Sequence, residues 1–130
     1  EWIVKKVFEH CKKKKIDLKQ IVIVGISYKK NIGDIRESPS LKIINLLKKK
    51  QIQFEYYDPF FKKFPSSSSY KINFESKKNL KFIKKSFQNK VVLLLCDHDN
   101  VNYVKIKNWS KLIFDTRNVY RKTSKKIIKL

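Results

Sequence analysis

Ile21-Val22-Ile23-Val24-Gly25-Ile26-Ser27-Tyr28-Lys29-Lys30-Asn31-Ile32-Gly33-Asp34-Ile35-Arg36-Glu37-Ser38-Pro39-Ser40-Leu41 is the stretch that decides the fold. Its first four residues are β-branched and uninterrupted by polar ones, the pattern of a strand buried on both faces in a parallel sheet, and Gly25 stops it. At its far end Ser38 is a helix N-cap, and Pro39 occupies the first turn, where a missing N–H costs nothing. Leu41, Ile43, Ile44 and Leu47 continue as a helical apolar face. Strand, loop and helix in that order place the loop at the carboxyl end of a sheet, where open α/β folds bind ligands. The loop carries Tyr28, Lys29, Lys30, Asp34, Arg36 and Glu37.

The pattern repeats outward from this unit. Trp2, Ile3, Val4, Val7, Phe8 and Cys11 recur among lysines at helical spacing over residues 2–14, and the run Lys12 to Lys15 suits a helix C-terminus. Gln53 to Tyr57 reads as a second strand closed by Asp58-Pro59, parallel to the first. Phe60 to Ser69, with Pro65 and four serines, reads as a surface loop. A weak strand is expected over Tyr70 to Phe74 and a helix over Ser76 to Phe87, with Leu80, Ile83 and Phe87 on one face. Val91 to Cys96 is apolar throughout and is expected at the centre of the sheet. A short helix over Val101 to Lys107 and a last strand at Leu112 to Phe114 follow, and the basic tail after Arg121 is expected to fray. Alternation of strands and helices defines the α/β class.

Length and composition set limits on function. The 130 residues suffice for one core, and 42% hydrophobic residues with 13% aromatics exclude global disorder. No apolar run reaches the roughly 20 residues that span a bilayer. The chain opens at Glu1 inside a helical pattern and is read as a piece of a longer protein, residues 1–14 being the end of a preceding helix. Cys11 and Cys96 have no metal-like neighbours at useful spacing and are expected as buried reduced thiols, the state usual in the cytoplasm.

The net charge of +21 points either to a polyanionic partner such as nucleic acid or to lysine-biased coding. Lysine bias is favoured, because Arg36, Arg117 and Arg121 are the only arginines among 32 basic residues and no tract joins arginine to exposed aromatics and glycine. Nor does the first loop carry the dinucleotide fingerprint: Ile26, Ser27 and Tyr28 follow Gly25, and two glycines in the chain cannot build a backbone phosphate cradle. Anion contacts fall to side chains, with Lys29, Arg36 and Arg117 the candidates and Tyr28 a surface on which a base could stack.

Tyr28-Lys29-Lys30-Asn31-Ile32-Gly33-Asp34-Ile35-Arg36-Glu37-Ser38-Pro39 resembles the signature of the C-terminal domain of UDP-glucose/GDP-mannose dehydrogenases, an aromatic–Lys–x–Asn/Asp–x–x–Asp–x–Arg–Glu–Ser run at the same strand-to-helix junction. The likeness continues in register through Tyr57-Asp58-Pro59, Asp97-His98-Asp99 and Phe114-Asp115-Thr116-Arg117-Asn118. It is nearest to the branch oxidising UDP-N-acetylhexosamines; glucose-specific relatives usually carry phenylalanine where Tyr28 stands.

The resemblance implies an incomplete Rossmann-like three-layer α/β/α domain with a mostly parallel sheet, a single unit over residues 1–130. It implies that the complete protein is a homo-oligomeric, cytoplasmic, NAD-dependent UDP-sugar 6-dehydrogenase, which oxidises the sugar C6 alcohol to a carboxylate in two steps through a covalent cysteine intermediate. The nucleophilic cysteine and catalytic lysine would lie in upstream NAD-binding and central domains, so no catalytic residue is expected here and Cys96 is not promoted to that role. Tyr28, Lys29 and Arg117 are placed by the resemblance against the UDP-sugar, and Arg36 near the NAD. Asp34 and Glu37 are expected to hold the loop, and His98 to be a structural strand-end residue. The rival is an α/β module that meets nucleic acid through its lysines.

Overall fold

The computed structural model describes residues 1–33, 38–62 and 78–130. Helix α1 (Trp2–Lys13) leads into strand β1 (Gln20–Val24), followed by α2 (Pro39–Lys49), β2 (Gln53–Tyr57), α3 (Lys84–Phe87), β3 (Val91–Leu94), α4 (Tyr103–Trp109), β4 (Leu112–Asp115) and β5 (Ile127–Lys129). The strands form one sheet in the order β2-β1-β3-β4-β5, and each of the four pairings is parallel. The register runs Val24 beside Tyr57 on one flank and Val24 beside Leu94 on the other. β3 is the central strand, as its uninterrupted apolar run predicts.

Side chains alternate across this sheet and divide the interior in two. Ile21, Ile23, Tyr56, Leu93 and Phe114 face α1 and α2, packing on Val4, Val7, Cys11, Leu41, Ile44 and Leu47. Val22, Val24, Leu94 and Ile113 face the other way, onto Phe87 of α3 and Ile106 of α4. The result is the three-layer α/β/α architecture. Two faces, both covered, are why the strands read as solid apolar runs rather than alternating ones.

Local sequence accounts for the helix ends. Ser38 Oγ accepts the Ser40 N–H (3.2 Å) and donates to the Ile26 carbonyl (2.9 Å), so the cap also ties α2 to the strand it follows. Asn102 Oδ1 accepts the Lys105 N–H at 3.1 Å and caps α4. The lysines expected at the end of α1 are exposed over residues 12–15. His10, on α1, lies against the Phe114 ring with centroids 6.1 Å apart.

Three expectations are corrected. The tail does not fray: Ile127–Lys129 pairs with β4, and Ile127 is buried. Of the helix expected from Ser76 to Phe87, the described residues from 78 onward become helical only at Lys84. Ahead of it, Asn79 bridges to Tyr56 and the Leu80 N–H donates to the Tyr56 carbonyl (2.9 Å), so this segment lies along β2 as extended chain. The boundaries of α4 also move, to Tyr103–Trp109 from the expected Val101 to Lys107. The weak strand expected at Tyr70 to Phe74, the serine loop from residue 63 onward, and Asp34, Arg36 and Glu37 lie outside the described residues.

Candidate functional site

Connections to the two faces part company at the carboxyl ends of β1 and β3. After β1 the chain crosses to α2 on one face, and after β3 it crosses to α4 on the other. Such a divergence between adjacent strands opens a crevice, the usual ligand position in a doubly wound sheet. The site is built from the four segments that follow β1, β2, β3 and β4.

Gly25 begins it. Its φ is +82°, and an added Cβ would lie 2.1 Å from the Cys96 carbonyl oxygen. Only glycine permits the chain to turn off β1 while pressed against the segment leaving β3. The same closeness leaves no room for a pyrophosphate. Gly25 is closed by protein, and the N-terminus of α2 is occupied by Ser38 Oγ. The described residues therefore do not fit a dinucleotide, and no cofactor chemistry is derived from them.

Beyond Gly25 lies a buried polar cluster drawn from three strand ends. Asp58, fully buried after β2, accepts through Oδ2 from the Ile26 N–H (2.9 Å), the Ser27 N–H (3.2 Å) and the Ser27 hydroxyl (2.9 Å). Its Oδ1 accepts the Phe60 N–H at 2.9 Å. His98, after β3 and 1% exposed, places Nε2 at 3.0 Å from Asp58 Oδ2. Its Nδ1 lies 2.8 Å from the Asn31 backbone nitrogen. A backbone N–H can only donate, so Nδ1 accepts and the ring proton resides on Nε2, facing the carboxylate. Burial raises the Asp58 pKa, but the hydrogen bonds from His98 and the Phe60 and Ile26 amides outweigh it, and the carboxyl lies below its ordinary range. A serine, a histidine and an aspartate in contact invite comparison with a hydrolytic triad. The order is wrong for one: both the hydroxyl and the imidazole give their protons to the aspartate, and Ser27 is 2% exposed. The cluster holds the loop.

Above it, in contact with solvent, is a chain of charges. Asn31, in the left-handed region at φ +60°, makes a reciprocal pair with Asp99: its Nδ2 donates to Asp99 Oδ2 (2.7 Å), and the Asp99 N–H donates to its Oδ1 (2.8 Å). Lys30 reaches Asp99 Oδ1 at 2.7 Å and Asp97 Oδ2 at 3.9 Å. The hydrogen bond to Asp99 is the main cause holding the Lys30 pKa up, and Lys30 in turn lowers that of Asp99. From the segment after β4, Arg117 Nε lies 3.4 Å from Asp97 Oδ1. Arg117 is set there by the turn after β4, where buried Asp115 accepts the N–H groups of Arg117 (3.0 Å) and Tyr120 (2.9 Å) and the Thr116 hydroxyl donates to the Leu94 carbonyl (2.7 Å). A cleft of about 440 Å³ adjoins this chain, lined in part by Lys30, Asp97, His98, Tyr103, Asn118 and Arg121.

Of the residues singled out from sequence, Tyr28 is 44% exposed, and the Lys29 ammonium stands 5.5 Å from its ring centroid. The Arg117 side chain is 47% exposed. Arg36 lies outside the described residues. Lys30, beside Lys29 in the sequence, shares Asp97 with Arg117. Sequence reasoning gave Ser27, Asn31 and Asp58 no role. Their signal was positional: polar residues just beyond the ends of adjacent parallel strands must converge. His98 is structural, as expected, and Cys11 and Cys96 are buried free thiols. Burial, and after it Asp58, pushes the Cys96 thiol up to about 11, so it is no nucleophile at neutral pH. Among the described residues no group of three or more His, Cys, Asp or Glu side chains is placed to hold a metal ion, and no helix is long and apolar enough to cross a membrane.

An open parallel sheet with charged loops gathered at its switch point defines the doubly wound class of α/β domain, which takes its ligands at that point. Residues 22–122 match the model of the UDP-glucose/GDP-mannose dehydrogenase family, UDP binding domain, and the chain belongs to that family. A UDP-N-acetyl-D-mannosamine dehydrogenase of Methanococcus vannielii is 27% identical over 127 residues, an alignment covering 91% of this chain and 27% of the relative. The enzyme of the same name from Methanocaldococcus jannaschii is also 27% identical, with 26% of its length covered. The chain thus spans about a quarter of the curated relatives it matches. Among solved structures, a UDP-D-ManNAc dehydrogenase from Pyrococcus horikoshii superposes with a TM-score of 0.72 at 21% identity, over 98% of this chain and 29% of that one. A UDP-N-acetyl-mannosamine dehydrogenase from Staphylococcus aureus gives 0.67 at 24% identity, over 98% and 29%. These likenesses agree in fold with the parallel α/β/α sheet. Nothing in the comparisons supports the nucleic-acid module.

Proposed function

We propose that this chain is the nucleotide-sugar-binding part of an NAD-dependent UDP-sugar 6-dehydrogenase acting on a UDP-N-acetylhexosamine. The observation that carries the reading is the match to the UDP binding domain across residues 22–122, with its motif residues standing at the ends of β1, β3 and β4. The names of the curated relatives support the N-acetylhexosamine branch. Tyr28, Lys29 and Arg117 are the residues we assign to the UDP-sugar. Tyr28 offers a ring for the base, and Lys29 and Arg117 offer the positive charge that a diphosphate needs, the arginine with paired donors and the lysine as a point charge.

NAD is assigned to parts of the longer protein outside this chain, with Arg36 close to it; the closed turn at Gly25 supports that division. Chemistry would likewise reside outside, this domain contributing binding and closure over the substrate. We place the complete protein in the cytoplasm as a homo-oligomer. The test is calorimetric titration of the chain with UDP, and with GDP as control, at low and high salt. Saturable binding that prefers UDP, survives salt and is lost in Lys29→Ala or Arg117→Ala supports the reading. Equal heats for both nucleotides, erased by salt, would show only the lysine-rich surface being titrated and would sink it.

A further inference from the structure

We propose that His98 is a positioning residue for the nucleotide-sugar loop: through Nδ1 it holds the Asn31 amide, and with it the turn carrying Tyr28, Lys29 and Lys30, while its single ring proton stays on Nε2. The inference rests on the reading above, in that this loop is the one assigned to the ligand.

The geometry shows how one ring can set a loop. Asp58 fixes the Nε2 side of the imidazole at 3.0 Å, and the Phe60 ring packs on it with centroids 4.6 Å apart. The ring is buried, so its other nitrogen is presented to one donor in a fixed direction. That donor is the Asn31 amide at 2.8 Å, in a residue held at a positive φ by this bond and by the reciprocal pair with Asp99. Three residues earlier Tyr28 stands exposed, with the ammonium of Lys29 over its ring. His98 does not reach the solvent-facing side itself; it acts through the backbone.

The bond needs a bare Nδ1: a proton there would set N–H against N–H at 2.8 Å and release the loop. The groups facing His98 are Asp58 from the end of β2, the Ser27 hydroxyl from the end of β1 (3.2 Å) and the Asn31 amide from the loop. Asp97 and Asp99 flank it, both paired with Lys30, and the Tyr103 hydroxyl of α4 donates to its carbonyl (3.1 Å). Of these, the Asn31 amide alone is bonded to Nδ1 among the described residues, so that bond can be removed while the Asp58 side stays intact.

Two substitutions separate the sides of the ring. In His98→Asn the side-chain oxygen takes the place of Nδ1 and accepts the Asn31 amide. In His98→Gln the side-chain NH₂ reaches the place of Nε2 and serves Asp58, but nothing accepts Asn31. With ¹⁵N-labelled chain, the expected imidazole spectrum has a single ring proton, on Nε2. The Asn31 amide should be protected from exchange in the natural chain, lose that protection by tenfold or more in His98→Gln, and keep it in His98→Asn.

UDP affinity should follow the same order, kept in His98→Asn and weakened in His98→Gln. A ring proton on Nδ1 overturns the proposal even if both variants fail to fold. So does undiminished Asn31 protection in His98→Gln, or a loss in His98→Asn as large as that in His98→Gln. Failure of every form to bind UDP would remove the ligand reading, while the amide profiles still decide whether His98 holds the loop.

Discussion

At the scale of single residues, two positions carry consequences of opposite kinds. Gly25 is a matter of space: its φ of +82° and the Cys96 carbonyl 2.1 Å from where a Cβ would stand leave no side chain any room. Gly25→Ala should cost about 3 kcal/mol or more in urea unfolding, since strain and a backbone clash act together; a cost under about 1 kcal/mol would mean the turn adapts. Arg117 is a matter of charge. It is half exposed and bonded through Nε to Asp97. In the complete enzyme Arg117→Ala should weaken nucleotide-sugar binding by roughly 1.5–3 kcal/mol, the worth of a charge-assisted contact, with little change in stability. Unchanged affinity would count against its assignment. The contrast explains what was legible in the sequence. Of the loop signature, Tyr28 to Asn31 and Ser38 stand between β1 and α2, but the partners that aim them do not announce themselves. Lys30 reads like its neighbour Lys29, yet only the fold shows that it is the one shared between Asp97 and Asp99.

At the scale of elements, legibility follows burial. β1, β3 and β4 were readable because each is covered on both faces and so carries an apolar run, and the edge strand β2 because Phe54, Tyr56 and Tyr57 supply buried aromatics. β5 was not. It is a three-residue edge strand in a lysine-rich stretch, and one fully buried residue, Ile127, gives no period to detect. The pair Ile127 and Ile128 tests the correction: Ile127→Ala should destabilise the chain by about 2–4 kcal/mol in urea, the cost of emptying a buried site, and Ile128→Ala, half-buried, by clearly less. Equal and negligible effects would restore the fraying tail. Over the described residues 78–83 the expected helix is absent for a different reason. Leu80, Ile83 and Phe87 have helical spacing, but the Leu80 N–H is committed to the Tyr56 carbonyl on the flank of β2, and a tertiary hydrogen bond outranks a sparse apolar period. At the start of α2, Ser38→Ala should cost about 1–2 kcal/mol of stability, because the hydroxyl both caps the helix and ties it to Ile26.

At the scale of the whole molecule, charge and pH govern stability together. With a net charge of +21 the folded chain repels itself, so added salt should raise the midpoint of thermal unfolding. A midpoint that falls would mean specific ion pairs outweigh the general repulsion. In acid, Asp58 gives the sign. Its folded pKa lies below the ordinary 3.8, so the unfolded chain takes up protons first, and the stabilisation present above that value is lost as pH drops toward the folded pKa. In alkali the sign reverses. Burial lifts Cys96 to about 11 from 9.0 and Tyr56 to about 12 from 10.0, so the stability these groups contribute is complete below their ordinary values and declines as pH rises toward the folded ones. Unfolding curves taken from about pH 3 to 11 should therefore show a broad plateau falling at both ends.

The order β2-β1-β3-β4-β5 also has a meaning in time. Once the first two strands have paired, β3, β4 and β5 each join the same growing edge, and none of these three has to be inserted between partners already formed. A chain emerging from the ribosome can therefore lay down its sheet in the sequence of its own synthesis. At each stage the newest strand, apolar and briefly without a neighbour, is the surface that most needs shielding from other nascent chains.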